Sequence, residues 1–86
     1  MPEISRFFGI IIRMYFGDHP PPHFHAEYAG AQIKILIETL SVMEGILPPR
    51  ALGLTMEWAA LHQRELLDLW ELAAQSQPLP RIAPLE

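Results

Sequence analysis

Between Ile4 and Phe16 the apolar residues fall mainly on even positions: Ile4, Phe8, Ile10, Ile12, Met14 and Phe16. The odd positions hold Ser5, Gly9, Arg13 and Tyr15, together with Phe7 and Ile11. A period of two is the signature of a strand. The segment therefore reads as one strand, apolar on one face and partly apolar on the other. Gly17-Asp18 opens a turn that Pro20, Pro21 and Pro22 stiffen, because each proline fixes its own φ and holds its predecessor extended. A second strand is expected from His23 to Tyr28. There Phe24, Ala26 and Tyr28 share one face, and His23, His25 and Glu27 share the other. After Ala29-Gly30 a third strand covers about Gln32 to Glu38, with Ile33, Ile35 and Ile37 on one face. A short fourth strand is expected through Val42 to Gly45. Short connections between successive strands imply an antiparallel meander.

Beyond Leu47-Pro48-Pro49 the period changes. Proline suits the first position of a helix. From Arg50 to Gln75, advancing ~100° per residue, Leu52, Thr55, Ala59, His62, Leu66, Trp70 and Ala73 gather on one side. Arg50, Gly53, Glu57, Arg64, Asp68, Glu71 and Gln75 gather on the other. One phase kept this long predicts a single helix of ~26 residues, spanning ~39 Å; two helices broken near His62 are the alternative. Pro78, Pro80 and Pro84 make the tail extended. The expected fold class is α+β: a small antiparallel β-meander of three or four strands packed on one long C-terminal helix. Residues 1–86 are expected to form a single domain.

Composition modifies this picture in three ways. Half of the 86 residues are hydrophobic, and mean hydropathy is +0.15. That is high for so small a chain, whose core is thin, and it points to a homodimer that covers apolar surface. The absence of cysteine excludes disulfides and thiolate zinc sites and fits a cytoplasmic protein. The start, Met-Pro-Glu-Ile-Ser, lacks the basic region of a signal peptide. No apolar run is long enough to span a bilayer, so no membrane partner is expected. A net charge of −4 argues against a general electrostatic grip on nucleic acid.

The chemistry concentrates in one turn. Asp18, His19, His23, His25 and Glu27 place three histidines and two carboxylates within ten residues. His-x-His on a strand puts both imidazoles on one face, about 7 Å apart at Cα. Two neutral imidazoles at that spacing can reach one zinc or other divalent transition metal. Glu27 continues the face, and His19 or Asp18 can fold back from the turn, so His19, His23, His25 and Glu27 are the metal candidates. The same residues suit acid–base catalysis, with His23 and His25 as the pair, Asp18 beside them and Arg13 facing developing negative charge. A third reading is architectural: prolines and aromatic residues make a tight corner, and the histidines line its wet side. His62, by its helical phase, reads as a core histidine bonded to a backbone carbonyl. Trp58 and Trp70 read as core or dimer contacts.

Ile4-Ser-Arg-Phe-Phe-Gly-Ile-Ile-Ile12 and Met14-Tyr-Phe-Gly-Asp-His-Pro-Pro-Pro-His-Phe-His-Ala-Glu-Tyr28 resemble a small bacterial family catalogued as a domain of unknown function, DUF4160. The resemblance continues through Ile37-Glu-Thr39, Arg50-Ala-Leu52, Glu57-Trp58, Leu61-His62 and Trp70-Glu71, and Asp-His-x-Pro-Pro-His-Phe-His is its most specific part. Thr39-Leu40-Ser41 departs from the more turn-like Thr-Gly-Glu of the family pattern. The resemblance implies a component of a two-gene, toxin–antitoxin-like module whose partner is a small protein encoded by a neighbouring gene. The leading expectation is a binding or regulatory component with a transition-metal site in the turn. The alternative is a small hydrolytic toxin, such as a ribonuclease using His23 and His25.

Overall fold

The computed structural model describes residues 2–86. Five strands and two helices follow one another: β1 (Glu3–Phe7), β2 (Ile10–Arg13), β3 (His23–Tyr28), β4 (Ala31–Leu36), β5 (Val42–Gly45), α1 (Pro49–Leu61) and α2 (Gln63–Ala74). The strands form one antiparallel sheet in chain order. The α+β class and the meander are as expected, but the described residues form five strands, not three or four.

The extra strand arises where one continuous strand was expected from Ile4 to Phe16. Phe8 and Gly9 have φ of +49° and +81°, which turns the chain back on itself in two residues and pairs Phe7 with Ile10. A two-residue hairpin with positive φ at both central positions matches the twist of its strands. Gly9 accepts that geometry without strain, and its place inside an apolar run conceals the turn. A register shift between Glu3 and Ser5 marks a bulge, so Ile4, Ser5 and Phe7 are all buried while Phe8 is 57% exposed. Alternation along the run is thereby broken.

The helix is likewise two helices. His62 has φ −123° and ψ 22°, outside the helical well. Its N–H is shared between the Trp58 and Ala59 carbonyls. Next to the break, Gln63 Nε2 donates to the carbonyls of Ile37 and Glu38 at 2.6 and 3.0 Å, which ties the joint to the end of β4. His62 is not the expected core histidine. Its Nδ1 lies 2.7 Å from the Glu65 carboxylate, its ring leans on Trp58 at 5.4 Å, and it is half-buried.

The core lies between the sheet and the helices. Phe24, Ala26, Ile33, Ile35, Ile10 and Ile12 meet Ala51, Trp58, Ala59, Leu66, Leu69 and Ala73. Trp58 is its centre: fully buried, it contacts Phe7 and Phe24 at 5.4 and 5.9 Å and donates Nε1–H to the Ala83 carbonyl. That bond, with Ile82 N–H to the Ile4 carbonyl and Arg81 to Glu3, lays the tail along β1. One sheet edge is thus covered, whereas every residue of β5 is exposed. No helix among the described residues is long and apolar enough to cross a membrane.

Two glycines separate the demands of this fold. Gly45 has φ +88°, and a Cβ there would meet the backbone of Gln32 and Ile33 far inside contact distance. Gly53 lies in α1 with open space around it. Gly45→Ala is expected to cost about 2 kcal/mol or more, from backbone strain and displaced β5. Gly53→Ala is expected to add roughly 0.5–1 kcal/mol. Urea unfolding of the two variants checks both signs.

Candidate metal centre

The turn Gly17–Pro22 is fastened at both ends. Gly17 N–H donates to the Ala73 carbonyl at the end of α2, and Ile37 N–H donates to the Pro22 carbonyl. Between these anchors the Pro20–Pro21 peptide is cis. Asp18 uses one carboxylate oxygen locally, since the His19 backbone N–H donates to its Oδ1 at 2.9 Å. Its other oxygen is left to face β3.

β3 supplies the partners. Its alternation sends Phe24 and Ala26, both fully buried, into the core, and presents His23 and His25 on the opposite side. Asp18 Oδ2 lies 3.0 Å from His23 Nε2 and 3.3 Å from His25 Nε2. One ligand atom from each of Asp18, His23 and His25 falls within 4.8 Å of the others. Four ligands about 2.0–2.1 Å from zinc in a tetrahedron stand about 3.3 Å apart, so the two spacings to Asp18 Oδ2, which are also hydrogen-bond distances, are compatible with a shared ion.

The orientation of His23 is the most informative feature. Its Nδ1 lies 2.8 Å from the Pro21 carbonyl oxygen. A carbonyl only accepts, so Nδ1 carries the hydrogen and donates it. In the neutral ring Nε2 then carries a lone pair, and that lone pair faces a carboxylate oxygen, which also only accepts. Two acceptors at 3.0 Å require a cation between them, either a proton on the ring or a metal ion. A backbone carbonyl that fixes Nδ1–H and presents Nε2 is also the usual outer support of a metal-bound histidine.

Aromatic packing holds both rings in place. Trp70 of α2 lies 5.2 Å from the His23 ring, which is only 4% exposed. Tyr15 meets His25 edge-on at 4.4 Å. Burial holds the His25 imidazole below its ordinary range; Asp18 opposes this, while the charges of His23 and Lys34 reinforce it. Burial pushes the Asp18 carboxyl up, but the His19 N–H, the hydrogen bond from His25 and the two imidazole charges outweigh it, so Asp18 lies below the usual carboxylate range.

Not every residue singled out from the sequence arrives here. His19 contributes its backbone N–H, and its side chain is exposed. Glu27 is on the expected face, but two residues along a strand carry it about 7 Å beyond His25, where Arg13 Nε donates to it at 2.9 Å. Asp18, weighed above only as a catalytic candidate or a group that folds back from the turn, takes the third position instead. If these three side chains held an ion, coordination positions would remain for water or a substrate, as in catalytic zinc sites and two-histidine, one-carboxylate iron sites.

The arrangement defines a small α+β domain built around a two-histidine, one-carboxylate cluster. The chain belongs to the DUF4160 family, a domain of unknown function, whose family model matches residues 9–71, from the first hairpin into α2. No curated protein and no solved structure matches it.

The tautomer of His23 follows from this geometry. Nitrogen-15 NMR of the metal-free protein should show a proton on His23 Nδ1 throughout the pH range in which the fold is intact. A neutral ring protonated on Nε2 alone would mean that the Pro21 contact does not form.

Proposed function

We propose that this protein binds a divalent transition metal, zinc foremost, through Asp18, His23 and His25. The reading rests on one observation: His23 is locked by the Pro21 carbonyl with Nε2 aimed at the Asp18 carboxylate. His25 brings a second imidazole nitrogen to the same oxygen. The ligand set is neutral nitrogen plus carboxylate oxygen, which suits zinc and its borderline neighbours.

The role proposed for the bound ion is in a binding or regulatory component, of the two-gene kind that the family resemblance implies. That resemblance alone supports the module. A hydrolytic role finds its support in the open coordination positions, where an ion can activate water. It finds less in a metal-free histidine pair, because His23 is buried and both of its ring nitrogens are engaged. Self-association is likewise proposed; the uncovered β5 edge, with Val42 and Met43 in it and Ile46 just after it exposed, supports it.

Calorimetric titration of untagged protein with zinc tests the reading. One ion per chain is expected. Asp18→Asn, His23→Ala and His25→Ala should each weaken binding by more than the roughly 10–100-fold that loss of an outer partner costs. His19→Ala and Glu27→Gln should leave it unchanged. Protons compete for the same nitrogens, so affinity should fall as pH drops, and because burial holds the His25 imidazole below its ordinary range, proton competition at His25 sets in below that range. Absence of binding, or full binding by a His23→Ala, His25→Ala double variant, would overturn the reading.

A further inference from the structure

His25 does not stand alone on its side of the sheet. Across one ladder it pairs with Arg13, and across the other with Lys34. Residues directly opposite one another in an antiparallel pair project from the same face, with Cβ atoms about 4.5–5.5 Å apart. The imidazole read as a metal ligand is therefore flanked by a cation on each side. On the Lys34 side a shallow pocket is lined by His25, Gln32, Lys34 and Glu44.

The two cations are held differently. Lys34 Nζ lies 3.7 Å from Glu44, whose side chain is 73% exposed. An exposed pair of that length is worth little, so Glu44 can swing away. Arg13 is tied more closely, at 2.9 Å to a half-buried Glu27 that offsets its charge, so Lys34 is the cation of the two that a ligand can recruit. A divalent ion with two neutral imidazoles and one carboxylate keeps a net positive charge, so its open position favours an anion. Lys34 stands directly across the ladder from His25, near enough for its charge to act on that imidazole, so a tetrahedral anion with one oxygen on the ion can turn a second toward Lys34. A monocarboxylate bound through one oxygen has only one other left to share between the flanks.

We infer that the metal centre receives a phosphate-type oxyanion, a phosphate or phosphate ester, with Lys34 holding the oxygen next to the one on the ion. The inference rests on the metal reading and adds the class of its ligand. Lys34 is a positioning and binding residue here, since it touches the ligand and not the ion.

The test uses the whole untagged chain loaded with one equivalent of zinc. It is titrated with inorganic phosphate and, separately, with dimethyl phosphate, and followed by calorimetry and phosphorus-31 NMR. Phosphate is expected to bind the zinc-loaded protein and not the zinc-free one. Lys34→Gln should weaken phosphate at least about tenfold, the scale of one hydrogen bond to a charged group, with zinc affinity unchanged. Lys34→Arg should retain most of the binding, and Glu44→Gln should tighten it by freeing Lys34. Binding of dimethyl phosphate with the same dependence on Lys34 would support diesters as the source, and binding of inorganic phosphate alone would support monoesters or free phosphate. Zinc-loaded protein that binds neither probe, or binds them equally well in Lys34→Gln, would overturn the inference while leaving the metal reading intact. Failure to bind zinc at all would overturn the metal reading, and this inference with it.

Discussion

The carboxylate of Asp18 is held against two imidazole nitrogens at once, and one of those imidazoles has no freedom to turn away. His23 is pinned from behind by the Pro21 carbonyl and from the side by Trp70. Acceptor facing acceptor in a largely buried place is costly unless a cation intervenes. Much of this end of the molecule maintains that arrangement. The Ala73 carbonyl holds Gly17, the Ile37 N–H holds Pro22, and the His19 N–H orients the carboxylate.

The centre depends on the core through the pleat of β3. Phe24 packs on Trp58 and Ala26 pairs with Ile12 and Ile33, so the strand is buried on one face and its register is specified. A slip of one residue would send the histidines into the core and Phe24 out of it. Two of the three clustered side chains thus sit on a rigid element, which sets their geometry more sharply than a loop does. The third, Asp18, sits on a turn anchored at both ends. The far end of the sheet carries the hairpin turns at Phe8-Gly9 and Ala29-Gly30 and takes no part in the site.

Much of this was legible in the residues. The alternation in His23–Tyr28 defines β3 to the residue, and Val42–Gly45 forms the short fourth segment expected. The phase of the helical region survives as well, since Thr55, Ala59, Leu66 and Ala73 are all buried. What escaped were local backbone events without a strong side-chain signature. The turn at Phe8-Gly9 lies inside an apolar run, and the bulge at Ile4 changes alternation by a single residue; the break near His62 was the stated alternative to one long helix, and the helical phase, which is preserved across it, could not choose between the two. Within the site, the choice between Asp18 and His19 was not legible, because either can fold back from a turn. It is decided by the backbone N–H of His19, which captures one Asp18 oxygen and aims the other at β3. The removal of Glu27 is decided by a neighbour fourteen residues away, Arg13. Helical phase likewise places Trp70 on the apolar face but cannot say that it covers His23.

The central claim is that a cation other than a proton belongs between Asp18, His23 and His25. Diffraction from zinc-soaked crystals, with data collected on both sides of the zinc absorption edge, tests it most directly. The expected result is a single strong anomalous peak about 2.0–2.1 Å from His23 Nε2, His25 Nε2 and an Asp18 oxygen, with the His23 Nδ1 bond to Pro21 intact. No peak there, or a peak on His19 or His62 with the Asp18 cluster unaltered, would contradict it.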